Sequence, residues 1–244
     1  MASFLSRYEN GEYTEVWAEL LALGAQIREE PLYSDALAVA RETMRRVRYN
    51  IELLLPRLTE LGYQFGSPDI DTDSLIESYP PVFSPPAANV NDLIARLERE
   101  AGPLPLSLQV FYQVVGGVNL EGMDPDWPYY GGMYGLDPLL VYPLDEELVE
   151  ECLSLDNLGE GEEPYRLAIA PDHYHKYGIS GGPPYEIAFP DPAIDALLLN
   201  EWHKTSFVNY LRICFEYGGM PGLDACSRRP GKELAYLTKG FLFF

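Results

Sequence analysis

Three short stretches carry residue types at spacings that could do chemistry. Gly178-Ile179-Ser180-Gly181-Gly182 satisfies the G-x-S-x-G pattern of a nucleophile elbow, and Asp195 and His203 follow in the order a hydrolase triad needs. The elbow requires a helix directly after the serine. Pro183-Pro184 and the strand-like YEIAF stand there instead, so a hairpin turn is expected and acyl transfer is not. Asp172-His173-Tyr174-His175 would set both imidazoles on one face of a strand, as a metal pair requires. A third ligand would have to come from His203 or an unplaced carboxylate, and two histidines on the wet face of a sheet are the simpler reading. Asp69, Asp71 and Asp73 resemble the start of a calcium loop, but the glycine at the sixth position and the closing glutamate are missing. The double glycines lack the lysine of a P-loop and the third glycine of a dinucleotide fingerprint. These patterns predict a chain that is not an enzyme and uses no metal or cofactor.

A different chemistry is suggested by residues 124–135, where Trp127, Tyr129, Tyr130 and Tyr134 follow Asp124 and Asp126. Tyrosine and tryptophan offer rigid contact area with a polar tip and concentrate at recognition surfaces. These six residues are the candidate binding site; the alternative is a loop folded over the sheet as part of the core. Charge points the same way. The 244 residues carry 17 Lys+Arg against 38 Asp+Glu, a net −21. Residues 1–63 hold 7 basic and 10 acidic residues, and residues 64–244 hold 10 and 28. Such a surface repels phosphate backbones and anionic membranes and attracts a basic protein, although acidity also serves solubility alone. No apolar run approaches the roughly 18–20 residues of a membrane span. The start MASFLSRYENGEY lacks a basic-then-apolar leader, and Cys152, Cys214 and Cys226 are too scattered for a disulfide framework, so a cytoplasmic setting is expected.

The elements that must position these residues fall into three parts. Residues 1–64 read as helical: Val16, Leu20, Leu23 and Ile27 share a face, and a long run begins near Ser34 as N-cap, with a break expected at Pro56. The Arg45, Arg46 and Arg48 cluster reads as a solvated helix face. Residues 65–89, rich in proline, form the linker. Residues 90–244 alternate amphipathic helices (VNDLIARLEREAG, LSLQVFYQVVGG, DEELVEECLSL and a helix after Ser206) with strand-like GVNLEG, PLLVYPL, YRLAIAPD, HKYGIS and YEIAFP. That is an α+β domain with a mostly antiparallel sheet flanked by helices.

One stretch carries a family likeness. Leu104-Pro105, a helix bearing Leu108, Phe111 and Tyr112, and the Gly116-Gly117 stop before a strand resemble the SMI1/KNR4 (SUKH) superfamily. The later order of Leu139–Pro143, an acid-started helix, YRLAIAPD, a hairpin and the Ser206–Tyr217 helix is also similar, over about residues 90–220. The family's usual turn asparagine appears only at Asn119. The resemblance implies a bent sheet flanked by helices and a non-catalytic protein-binding role. Bacterial members neutralise toxins, many of them nucleases, and fungal members act as scaffolds in cell-wall signalling.

Overall fold

Apolar residues recur every three or four positions from Ala36 to Leu58, and they become the buried stripe of α3 (Leu32–Glu60). The computed structural model describes residues 2–66, 81–123, 135–154, 164–179, 181–227 and 229–244. Before α3 come α1 (Phe4–Glu9), α2 (Tyr13–Leu23) and a 3-10 turn at Gly24–Arg28. Ser34 does not cap α3. The helix begins two residues earlier, behind Pro31, and the Ser34 hydroxyl donates to Glu30 at 2.8 Å. Asp35 serves α1 instead, accepting from the Phe4 and Leu5 amides at 2.6 and 3.0 Å. Pro56 does not break the helix either. It stands one turn from the end, where one backbone bond is forfeited, and the buried Leu54 and Leu58 on either side hold the helical path.

After the stretch 65–89, expected as a linker but with Phe65, Phe83 and Ser84 in strands, α4 (Val90–Ala101) and α5 (Leu106–Val114) follow, and α5 packs along α3. Among the described residues, the strands are short, antiparallel, and divided among three small sheets. β1 (Gln64–Phe65) pairs with β4 (Gly122–Met123). β3 (Gly117–Asn119) lies between β2 (Phe83–Ser84) and β5 (Leu140–Val141), with Phe83, Val118 and Val141 in register. β6 (Tyr165–Ala170) pairs with β7 (Tyr185–Phe189) across a bulge after Ala168. A Tyr142 amide bond to the Ile169 carbonyl at 2.8 Å ties β5 to β6. The expected strand HKYGIS is not one: His175–Tyr177 form a 3-10 turn. Among the described residues, α6 (Glu146–Leu153), capped by Asp145, α7 (Phe207–Glu216) and α8 (Gly231–Leu237) follow.

The helical residues before 64 and the domain after 90 share one hydrophobic core, from Tyr8 to Phe244. Arg28 adds a polar tie, donating to the Pro192 carbonyl at 3.0 Å and to the Leu104 carbonyl.

The Gly116-Gly117 stop has a structural cause. Gly116 adopts φ +94°, and a Cβ there would drive into the Ser84 carbonyl; a Cβ on Gly117 would lie 2.7 Å from the Pro143 nitrogen. The two glycines let the strands on either side close onto β3. Gly116→Ala is therefore expected to lower unfolding free energy by more than about 2 kcal/mol, read from urea denaturation against the parent chain.

Candidate functional site

Of the candidate contacts, Asp124, Asp126, Trp127, Tyr129, Tyr130 and Tyr134 lie outside the described residues, as do Ser180 and the Asp69, Asp71, Asp73 trio. From Gly135, where the described residues resume, the anchorage is tight. The Leu136 amide donates to the Tyr177 hydroxyl at 2.6 Å. Asp137, with φ +47°, forms a wholly buried ion pair with Lys176, Nζ to Oδ1 at 2.6 Å. Tyr185 donates to the other Asp137 oxygen at 3.1 Å, and the Lys176 ammonium stands 4.8 Å from the centre of that ring. Burial, reinforced by Asp137, pushes the Tyr185 phenol far above its ordinary value. No periodicity in the sequence announces this trio, because its members come from three separate segments.

The paired histidines belong to the same corner. Asp172 accepts from the His175 amide at 3.0 Å and the Gly182 amide at 2.6 Å, and the His175 Nδ1 lies 2.5 Å from it. Burial alone would raise its carboxyl pKa, but these hydrogen bonds outweigh it and hold the group below its usual value. The same bonds explain the turn: a carboxylate that gathers amides from positions 175 and 182 bends the chain out of a strand. A Cβ on Gly181 would collide with the Asp172 carboxylate, so this glycine, at a variable position of the G-x-S-x-G match, makes room for the clamp. His173 stacks on Tyr174 rather than sharing a strand face with His175. Among the described residues, no group of three or more His, Cys, Asp or Glu side chains could hold a metal ion.

His203 and Asp195, placed together by chain order, are not partners. His203 Nδ1 lies 2.5 Å from Glu201 Oε1, and its Nε2 is 3.6 Å from Asp224, with the Trp202 ring against its face. Asp195 is buried and accepts from the Ser107 hydroxyl at 2.7 Å and the Val208 amide at 3.1 Å, so it holds the start of α7. Burial raises its pKa to about 6. Cys152 and Cys214 are buried, and burial pushes the Cys152 thiol up to about 12, a poor nucleophile.

What the structure presents outward is acid. Asp145, Glu146, Glu147, Glu150 and Glu151 are all exposed on and before α6. They open a stretch, residues 145–163, with nine acidic residues and no basic one. A windowed charge count of the sequence reveals this run, which carries no catalytic motif. Arg96 of α4 supports it, 2.8 Å from Glu150 and 3.5 Å from Glu146. The Arg45, Arg46, Arg48 cluster is only in part the solvated face expected. Arg45 is exposed, whereas Arg46 donates to the Phe243 carbonyl at 2.8 Å and Arg48 to the Val114 carbonyl at 3.1 Å.

No protein-family model, no curated protein and no solved structure matches the chain.

Two outcomes are expected. Removing the Lys176 charge by Lys176→Met strands Asp137 in the core and should cost about 3–5 kcal/mol in chemical denaturation, while the Lys176→Met, Asp137→Leu pair should recover part of it. Asp195 has a folded pKa above its ordinary 3.8, so its contribution is complete below about pH 4 and is lost as pH rises through about 6. The loss is on the order of 3 kcal/mol, and Asp195→Asn should flatten that limb of the stability–pH curve.

Proposed function

We propose that this chain is a non-catalytic protein-binding domain of SMI1/KNR4 (SUKH) type whose acidic face takes a basic protein. The most concrete role is immunity, the neutralisation of a basic toxin such as a nuclease. The observation that carries the reading is the charge distribution: −21 overall, with the nine-acid stretch 145–163 beginning on the exposed turns of α6. Complementary charge of this kind speeds encounter and selects partners. Two further points support it. The polar groups that looked catalytic are each engaged by a structural neighbour: Asp172 by its turn, Asp195 by α7 and His203 by Glu201. The order of elements from α5 through the Gly116-Gly117 corner, β3, β5, α6, the β6–β7 hairpin and α7 runs parallel to the likeness described above. The contact set comprises Asp124, Asp126, Trp127, Tyr129, Tyr130 and Tyr134.

The test is affinity capture with the intact chain as bait, eluted by a salt gradient. A basic partner bound one to one and released as salt rises is expected, because exposed charges are screened. Against that partner, Glu147→Lys should slow association severalfold with little change in dissociation, and Trp127→Ala should mainly speed dissociation. Retention that ignores salt, or partners with no basic character, would count against the proposal.

A further inference from the structure

The segment after α8 closes one side of a cavity, and its backbone is pinned. Asn50, buried in α3, donates to the Leu242 carbonyl at 3.0 Å and accepts from the Leu242 amide at 2.8 Å. Arg46 donates to the Phe243 carbonyl at 2.8 Å. Phe241 and Phe244 both meet the Phe215 ring edge to face, at 5.5 and 5.8 Å. The cavity measures about 640 Å³, within the range of small-molecule sites, and Tyr13, Phe215, Phe241 and Phe243 line it. Phe243 is 82% exposed, so its ring stands where the cavity meets solvent. Tyr13 is held in turn by the Arg46 guanidinium, 4.8 Å from its ring centre. Walls fixed in this way lose little freedom when a ligand enters.

Two charged side chains also border the cavity, and their settings differ. Glu216 is exposed, so water solvates its charge. Arg212 of α7 is partly buried. Its Nε donates to the Phe244 carbonyl at 2.6 Å and its Nη1 to Asn209 Oδ1 at 2.8 Å, both neutral acceptors. Its Nη2 is buried with no hydrogen-bond partner, and no carboxylate among the described residues forms an ion pair with it. Burial lowers its pKa, and attraction from Tyr8 and Asp195 offsets only part of that effect. A cation drawn out of water and given only neutral acceptors is stabilised by an anion brought beside it.

We propose that this cavity is a binding site for a small aromatic carboxylate, with its ring among the aromatic side chains and its carboxylate on the Arg212 guanidinium. The lining rings offer edge-to-face partners to an incoming ring. A carboxylate matches a guanidinium in charge and in its planar, forked geometry. The site shares no residue with the acidic run 145–163 or with the contact set around Trp127, so it is independent of the protein-binding role.

Calorimetric titration of the full chain tests this with three probes: 2-naphthoate, 2-naphthamide as the same ring without the charge, and octanoate as the same charge without a ring. One-to-one binding of 2-naphthoate with Kd below about 200 μM is expected, and each of the other two should bind at least about ten-fold more weakly. Arg212→Gln keeps a donor for the Phe244 carbonyl but loses the charge. It should weaken 2-naphthoate at least about ten-fold and leave 2-naphthamide unchanged, a split that loss of structure would not give. Thr14→Trp, at an exposed position on the cavity wall, should obstruct both naphthyl probes while circular dichroism matches the parent. No binding of 2-naphthoate, binding no tighter than that of 2-naphthamide or octanoate, or binding indifferent to both substitutions would overturn the proposal.

Discussion

The apolar stripe of α3 is the constraint on which the remaining structure depends. Ala36, Val39, Ala40, Met44, Val47, Ile51, Leu54 and Leu58 are all fully buried, so the helix must be covered along nearly its whole length. α1, the turn after α2, α5 and α8 all pack against it. The cost of enclosing a helix this way lies in its polar side chains, and the structure meets each one. Trp17 Nε1 donates to the Thr43 hydroxyl at 3.2 Å, and that hydroxyl donates to Tyr8 at 2.9 Å. Arg46, Arg48, Asn50 and Arg57 all reach main-chain carbonyls in elements distant in sequence. Those carbonyls lie in irregular segments or at a helix end, where regular hydrogen bonding stops. The same helix therefore supplies both the apolar wall and the donors that close its edges.

This explains which parts of the fold were legible. α4, α6 and α7 could be read because their apolar residues keep a 3.6-residue period and flanking residues stop them. β6 and β7 could be read from five or six residues of β-branched and aromatic character. β3 and β5 could be read within GVNLEG and PLLVYPL, whereas β1 and β2, two residues each, could not, because alternation needs more length than that to show. HKYGIS looked like a strand because tyrosine and isoleucine favour one, but the competing signal was the Asp172 side chain, whose hold on the amides of His175 and Gly182 has no sequence period. Asp35 capping a helix thirty residues upstream is invisible for the same reason. The break expected at Pro56 weighed one lost hydrogen bond and ignored the two buried leucines that outweigh it.

The candidate site divides along the same line. Residue type and spacing brought Asp172, His175, Asp195 and His203 forward as reactive groups, and each is engaged by a neighbour that spacing could not reveal. The Asp137–Lys176–Tyr185 trio escaped notice because buried ionic groups are recognised only by their partners. It fixes Leu136-Asp137, where the described residues resume after β4.

The acidic face on α6 is held against the helix's own preference. Glu146 and Glu147 sit in the first turn, where the helix dipole favours negative charge. Glu150 and Glu151 sit in the last turn, where it does not, and no basic residue of α6 compensates them. Glu150 is held ionised by hydrogen bonding and charge attraction from Arg96, which reaches across from α4 and lowers its pKa. Local helix stability would be served better by lysine at either position. Two glutamates are therefore kept at an unfavourable helix end, one of them supported by an arginine from a different helix.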